Sequence, residues 1–317
     1  MHLPDGFLDA KTALSTGVLA AGGVGLALRQ VRLELPPRRV PLLGLAAAFL
    51  FAAQMVNFPV VGGTSGHLVG GALVAALLGP AAAIVVVTTV LVVQCFLFAD
   101  GGVTALGANI LNMGIVTTLS GYVLYRGVAR LLPGLRGRVA ALAFAGWCST
   151  MLAAATCAGQ LAWSGAVPWR VGFAAMTGVH ALIGLGEGAV SALVLLAIAR
   201  TRPDLLEEEP GRGAPPVGRF VGLGLLAGLG LALFVAPFAC PWPDGLESVA
   251  DRLGFAHQAA APLLPALAAD YRWPGLDSSG LALAVAGAAG VVIVFVLSLG
   301  FSRLLVPKPS RPGRAET

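Results

Sequence analysis

The stretch HLVGGALVAALLGPAAAIVVVTTVLVVQCFLF, residues 67–98, decides how the rest of the chain is laid out. It contains no Asp, Glu, Lys or Arg. A membrane-spanning helix takes about 20 residues, so the run is too long for one straight span and too short for two ordinary ones. Gly79-Pro80 stands near its middle, a pair that ends one helix and opens another. Basic residues arbitrate, because short cytoplasmic loops collect Lys and Arg. Split at Gly79-Pro80, the run places Arg29, Arg32, Arg38, Arg39, Arg126, Arg130, Arg136, Arg138, Arg200, Arg202, Arg212, Arg219, Arg303, Lys308, Arg311 and Arg314 on one side. These are sixteen of the twenty basic residues, leaving Lys11, Arg170, Arg252 and Arg272 opposite. Read as a single span, it sets the four arginines at 126–138 against the four at 29–39. The chain is therefore expected to cross nine times, with an extracytoplasmic N-terminus and a cytoplasmic C-terminus.

Composition agrees with a membrane protein. Hydrophobic residues make up 57% and charged residues 11%, with mean hydropathy +0.87, where soluble chains are roughly a quarter charged. The other apolar runs lie at 11–30, 40–57, 103–126, 138–163, 170–199, 217–238 and 280–305. The expected fold is all-α, a polytopic helical bundle whose 43 glycines suit helices that approach closely in lipid. A β-barrel would alternate over ten-residue strands. Residues 1–10 hold no Lys or Arg, so they lack the basic region of a signal peptide, and Met1 is expected to be the mature terminus. Cys95, Cys148, Cys157 and Cys240 form no CxxC pair and read as small hydrophobes rather than ligands.

With nine spans, residues 1–10, the loop 57–67 and the segment 239–279 share the extracytoplasmic face. His2 and His67 then lie on one side. Counted from Gly79-Pro80, His67 is about 12 residues, or about 18 Å of helix, from the cytoplasmic end. The hydrocarbon layer is about 30 Å thick, so His67 belongs in a recess. An N-terminal amine followed directly by His offers three nitrogens in sequence: the Met1 amine, the His2 amide and the His2 imidazole. On one metal ion they close a five- and a six-membered chelate ring and lie in a plane. A planar nitrogen field suits Ni(II) or Cu(II) better than tetrahedral Zn(II). His67 is the candidate fourth donor. The alternative is an exposed terminal His beside an ordinary PDG turn.

The opening MHLPDGFLD closely resembles the N-terminus of the CbiM/NikM family, the substrate-binding S components of energy-coupling-factor transporters for nickel and cobalt. NFPVVGGTSGHLVGG (57–71), QCFLFADGGVTALGANILNMG (94–114) and HALIGLGEGAV (180–190) continue the resemblance in order. It implies a seven-span S component over residues 1–200, with the metal held by Met1, His2 and His67. After a cytoplasmic linker, 201–219, PWPDGLESVADRLG (241–254) resembles the PDGLE domain, a two-span accessory component. Residues 220–317 are then an accessory module whose outer segment, 239–279, carries a net charge of −3 (five Asp/Glu, two Arg) and favours cations near the mouth.

The family implies high-affinity uptake of Ni(II) or Co(II), nickel favoured, at a bacterial plasma membrane. The ion is cargo, and no permanently bound cofactor or nucleic acid is expected. Neither lysine follows a glycine, so no Walker A sequence exists. The chain is not expected to be an enzyme. The family supplies a transmembrane T component and two cytoplasmic ATPase subunits as partners. Asp100, Asn109 and Asn112 are candidate neighbours of the metal site. His180 and Glu187 share one helical face inside the membrane, either as a proton-linked pair or as hydrogen-bonding groups between helices. A proton-coupled secondary permease using that pair is the rival function.

Overall fold

The structure is a computed structural model that describes residues 1–206 and 216–307. Arg212, Lys308, Arg311, Arg314 and residues 207–215 of the expected linker lie outside the described residues. The chain is an all-α membrane bundle. Its helices are α1 (Ala10–Glu34), α2 (Val40–Gln54), α3 (Gly71–Leu78), α4 (Pro80–Phe98), α5 (Leu106–Asn109), α6 (Thr117–Leu131), α7 (Gly134–Trp163), α8 (Trp169–Thr201), α9 (Gly218–Gly230), α10 (Gly245–Leu253) and α11 (Ser279–Leu305). A short antiparallel hairpin, β1 (Phe58–Val60) and β2 (Thr64–Gly66), pairs Phe58 with Gly66.

Among the described residues, six helical stretches are long and apolar enough to cross a membrane: α1, α4, α7, α8, Gly218–Phe238 and α11. The other three expected crossings take shorter or interrupted forms. α2 has 15 residues and α3 only eight. Between α5 and α6, Ile110–Val116 widens into a π-helical turn, the kind of irregularity that often marks functional regions.

The 67–98 run divides as its Gly-Pro pair requires. Gly79 has φ +86° and ψ 160° and donates its N–H to Ala75 O, while Pro80 opens α4 at its first position. That backbone conformation is essentially reserved for glycine, and proline at the first helical position gives up an N–H that had no helical partner anyway. The sequence expectation for His67 needs a correction in detail. The helix begins at Gly71, because Gly70 takes φ +81° and a side chain there would collide with Leu50. His67 therefore stands on an irregular turn above eight helical residues, not on a helix of twelve.

This hairpin of helices defines two ends. Gly79 marks one, where it lines a cavity of ≈ 390 Å³ with Arg39, Arg126, Arg130 and Arg138. His67 and Asp100, two residues after α4, mark the other. Small residues close the packing between. A side chain on Gly188 of α8 would meet the Ala143 carbonyl of α7, and one on Gly290 of α11 would meet Phe51 of α2.

Gly79→Ala should destabilise the protein by about 1–3 kcal/mol through backbone strain, read as a lowered melting temperature in detergent. Gly22→Ala on α1, where an added methyl meets nothing within 4 Å, should leave the melting temperature unchanged or slightly raised.

Candidate functional site

His67 is placed by a carboxylate from across the bundle. Glu187, buried on α8, accepts the Val69 N–H at 2.6 Å and the Gly70 N–H at 2.8 Å. These amides sit at the entrance to α3, where backbone donors have no helical acceptors. The turn they fix directs the imidazole inward. His67 Nδ1 donates to Leu68 O at 3.2 Å, leaving Nε2 with the lone pair. Burial, with the Met1 amine and His2 beside it, holds the ring below the ordinary imidazole range. It is neutral at physiological pH, the form that ligates metals.

The N-terminal segment is held by Asn109. Its Oδ1 accepts the Leu3 N–H at 2.8 Å and its Nδ2 donates to Leu3 O at 3.1 Å. Gly102 N–H donates to the same carbonyl at 2.8 Å. Asp5 Oδ1 accepts from the Thr104 N–H and hydroxyl at 2.8 and 2.6 Å. Held in this way, the Met1 amine lies 3.0 Å from His67 Nε2. Two neighbouring donors on one ion at about 2 Å stand about 2.8 Å apart at a right angle, so the pair matches one edge of a coordination square.

The His2 ring stacks on His67, with centroids 5.4 Å apart and planes 21° apart. Its Nδ1, the atom that would close the six-membered ring, faces Asp100 Oδ1 at 3.2 Å. Its Nε2 is buried with no partner among the described residues. A half-turn about Cβ–Cγ exchanges Nδ1 with Cδ2 and so takes the chelating nitrogen off Asp100. Asp100 Oδ2 in turn accepts from the Tyr271 hydroxyl at 2.6 Å.

The remaining candidates separate. Asn112 exchanges two 2.8 Å hydrogen bonds with Gln160 of α7 and so braces helices. His180 Nδ1 donates to Met176 O at 2.8 Å, while Glu187 serves the His67 turn. The two are committed to different partners rather than to each other. His180 does approach the site, lining a small cavity of ≈ 10 Å³ with Met1, His67 and Asp244.

The sequence marked Asp244 only as part of the PDGLE signature and of the acidic outer segment. Its Oδ2 lies 2.5 Å from the Met1 amine, and its Oδ1 accepts the Leu246 and Glu247 N–H groups that open α10. Burial pushes the Asp244 carboxyl up, but the neighbouring Met1 ammonium and His67 offset this and hold it below the ordinary carboxylate range. The sequence did carry a signal for the helix cap, since Asp244 and Glu247 form a capping box. Nothing local revealed that the second oxygen meets residue 1. Gln54 and Gln94 were also missed. Gln94 Nε2 donates to Gln54 Oε1 at 2.8 Å, and Gln54 Nε2 donates to Val69 O at 3.1 Å.

A buried polar site at one end of an apolar helical bundle is the build of a multi-pass membrane transport component, and comparisons with known proteins agree. The family profile CbiM, cobalt uptake substrate-specific transmembrane region, matches residues 2–205, and the PDGLE domain profile matches 218–307. A protein of Archaeoglobus fulgidus assigned as a fused nickel transport protein, NikMN, is 38% identical over 96% of this chain and 98% of its own length. The cobalt transport protein CbiM of Geobacter sulfurreducens is 31% identical over 81% of this chain and 78% of its own. The crystal structure of a truncated transition metal transporter superposes with TM-score 0.58 at 30% identity, covering 63% of this chain and 99% of that one. The chain belongs to the CbiM family and carries a C-terminal PDGLE domain. That family is a transporter component and not an enzyme.

Glu187→Ala should raise hydrogen exchange at the Val69 and Gly70 amides and cost about 1–3 kcal/mol for each donor left buried without an acceptor. Glu187→Gln, which keeps one acceptor oxygen, should fall between Ala and the native protein in the same exchange measurement.

Proposed function

We propose that this chain is the substrate-binding subunit of an energy-coupling-factor transporter that takes up Ni(II) in preference to Co(II), with Met1, His2 and His67 as the ligands. The observation that carries the reading is the Met1 amine 3.0 Å from the lone pair of His67 Nε2, with the His2 ring stacked alongside. Among the described residues no three His, Cys, Asp or Glu side chains group as a metal site. A donor set built from the terminal amine and a backbone amide does not require such a group. Nickel is favoured because a planar nitrogen field suits it. Relatives named for nickel and for cobalt both align over most of the chain.

In this reading the N-terminus is extracytoplasmic and the ion is captured outside. Binding displaces a proton from the amine and one from the His2 amide. Asn109 holds the terminal segment and Glu187 the His67 turn, so the four nitrogens meet with little ordering left to do. Energy comes from a T component and two ATPase subunits, which tilt the substrate-binding subunit within the membrane and release the ion to the cytoplasm. Residues 1–200 form the metal-binding unit and 220–317 the accessory module, joined through 201–219. A proton-coupled permease would require His180 and Glu187 to carry protons. Their commitments to Met176 O and to the Val69 and Gly70 amides favour structural roles.

Inserting one alanine between Met1 and His2 keeps both imidazoles but moves His2 to the third position, which enlarges the chelate and shifts the amine away from His67. Nickel binding by the purified protein should fall by a factor of about ten to a hundred, and native binding in this variant would sink the terminal-chelate reading. Metal uptake in cells should require the ATPase subunits. Uptake without them, abolished by Glu187→Gln, would instead identify the permease.

A further inference from the structure

The second module does more than sit beside the first. It closes over the metal site. Ser65, two residues before His67, donates its N–H to Pro243 O at 2.8 Å and its hydroxyl to Trp242 O at 2.8 Å. The Thr64 hydroxyl donates to Pro243 O at 3.1 Å. Gly245 packs so tightly on His180 and Ile183 that a side chain there would collide with both. Further along, Ala260 N–H donates to Asp5 O at 2.8 Å, and Phe7 meets Phe255 edge to face. Met1 is left 4% exposed. At the centre of this cover lies the ion pair between Asp244 and the Met1 amine.

We propose that Asp244 is the positioning residue through which the PDGLE segment covers and orders the metal site, holding the terminal amine against His67. The inference rests on the terminal-chelate reading above.

Asp244 also caps α10, so a test must separate the charge from the cap. Asn is as good a helix cap as Asp, and Asp244→Asn keeps the capping Oδ1 while replacing the charged oxygen that meets Met1 with a neutral Nδ2. Glu247→Ala breaks the other half of the capping box without touching Met1. With the full chain purified, its unblocked Met1 confirmed by intact mass, Ni(II) is titrated and the visible absorption of the planar complex recorded. Asp244→Asn should bind Ni(II) about tenfold or more weakly with the native absorption band, and Glu247→Ala should bind as the native protein does. Native affinity in Asp244→Asn would overturn the proposal. So would a shifted band, which would make Asp244 a ligand, or an equal loss in Glu247→Ala, which would leave only a structural cap. The variant with one alanine inserted between Met1 and His2 separates the two levels. Undiminished binding there defeats the terminal chelate itself, whereas lost binding there with native binding in Asp244→Asn defeats only the role of Asp244.

Discussion

A charged chain terminus buried at the end of an apolar bundle has to be surrounded by fixed acceptors, and the rest of the structure follows from that need. An isolated ammonium is costly to remove from water unless it is paired and hydrogen-bonded. Here the Met1 amine has two acceptors, His67 Nε2 and Asp244 Oδ2, and each is itself held by a second contact. His67 depends on the turn that Glu187 fixes from α8. Asp244 depends on the amides of α10. The terminal segment depends on Asn109, one residue before the π-helical turn. Four separated parts of the chain thus converge on a single atom.

The same need accounts for the short and broken helices. A full-length α3 would carry its backbone donors past His67 into helical bonds and leave no turn to aim the imidazole. Stopping it at eight residues exposes the Val69 and Gly70 amides, and only a buried acceptor can then satisfy them. Glu187 is that acceptor. An ionisable group inside a membrane bundle raises the question of proton transport, and here both of its oxygens accept from backbone amides.

Much of the fold was legible in the sequence because its signals are local. The Gly79-Pro80 break, the apolar runs and the basic residues each act within a few positions, and Arg39, Arg126, Arg130 and Arg138 do gather around one cavity at the Gly79 end. His2 and His67 were legible as partners because chelate geometry and span counting placed them on one face. Asn109 was visible as a polar residue near the site but not as the clamp on Leu3. The π-helical turn at 110–116 was not legible, since its residues satisfy ordinary helical patterning. Asp244 was least legible of all. Its local role as a helix cap explains the PDGLE letters fully, and its second role lies 243 residues away. Read only as part of an acidic patch, it promised a diffuse attraction for cations, where the structure has a specific ion pair.

Covalent fusion makes such a cover workable. A contact as small as one ion pair and a few backbone hydrogen bonds could not hold a separate protein in place, but a tethered segment acts at a high effective concentration. The second module is anchored elsewhere, through α11 packing on α2, where Gly290 admits Phe51, Gly287 admits Met55 and Gly44 lies against Phe295. That apolar seam fixes the module in the bundle without help from Asp244.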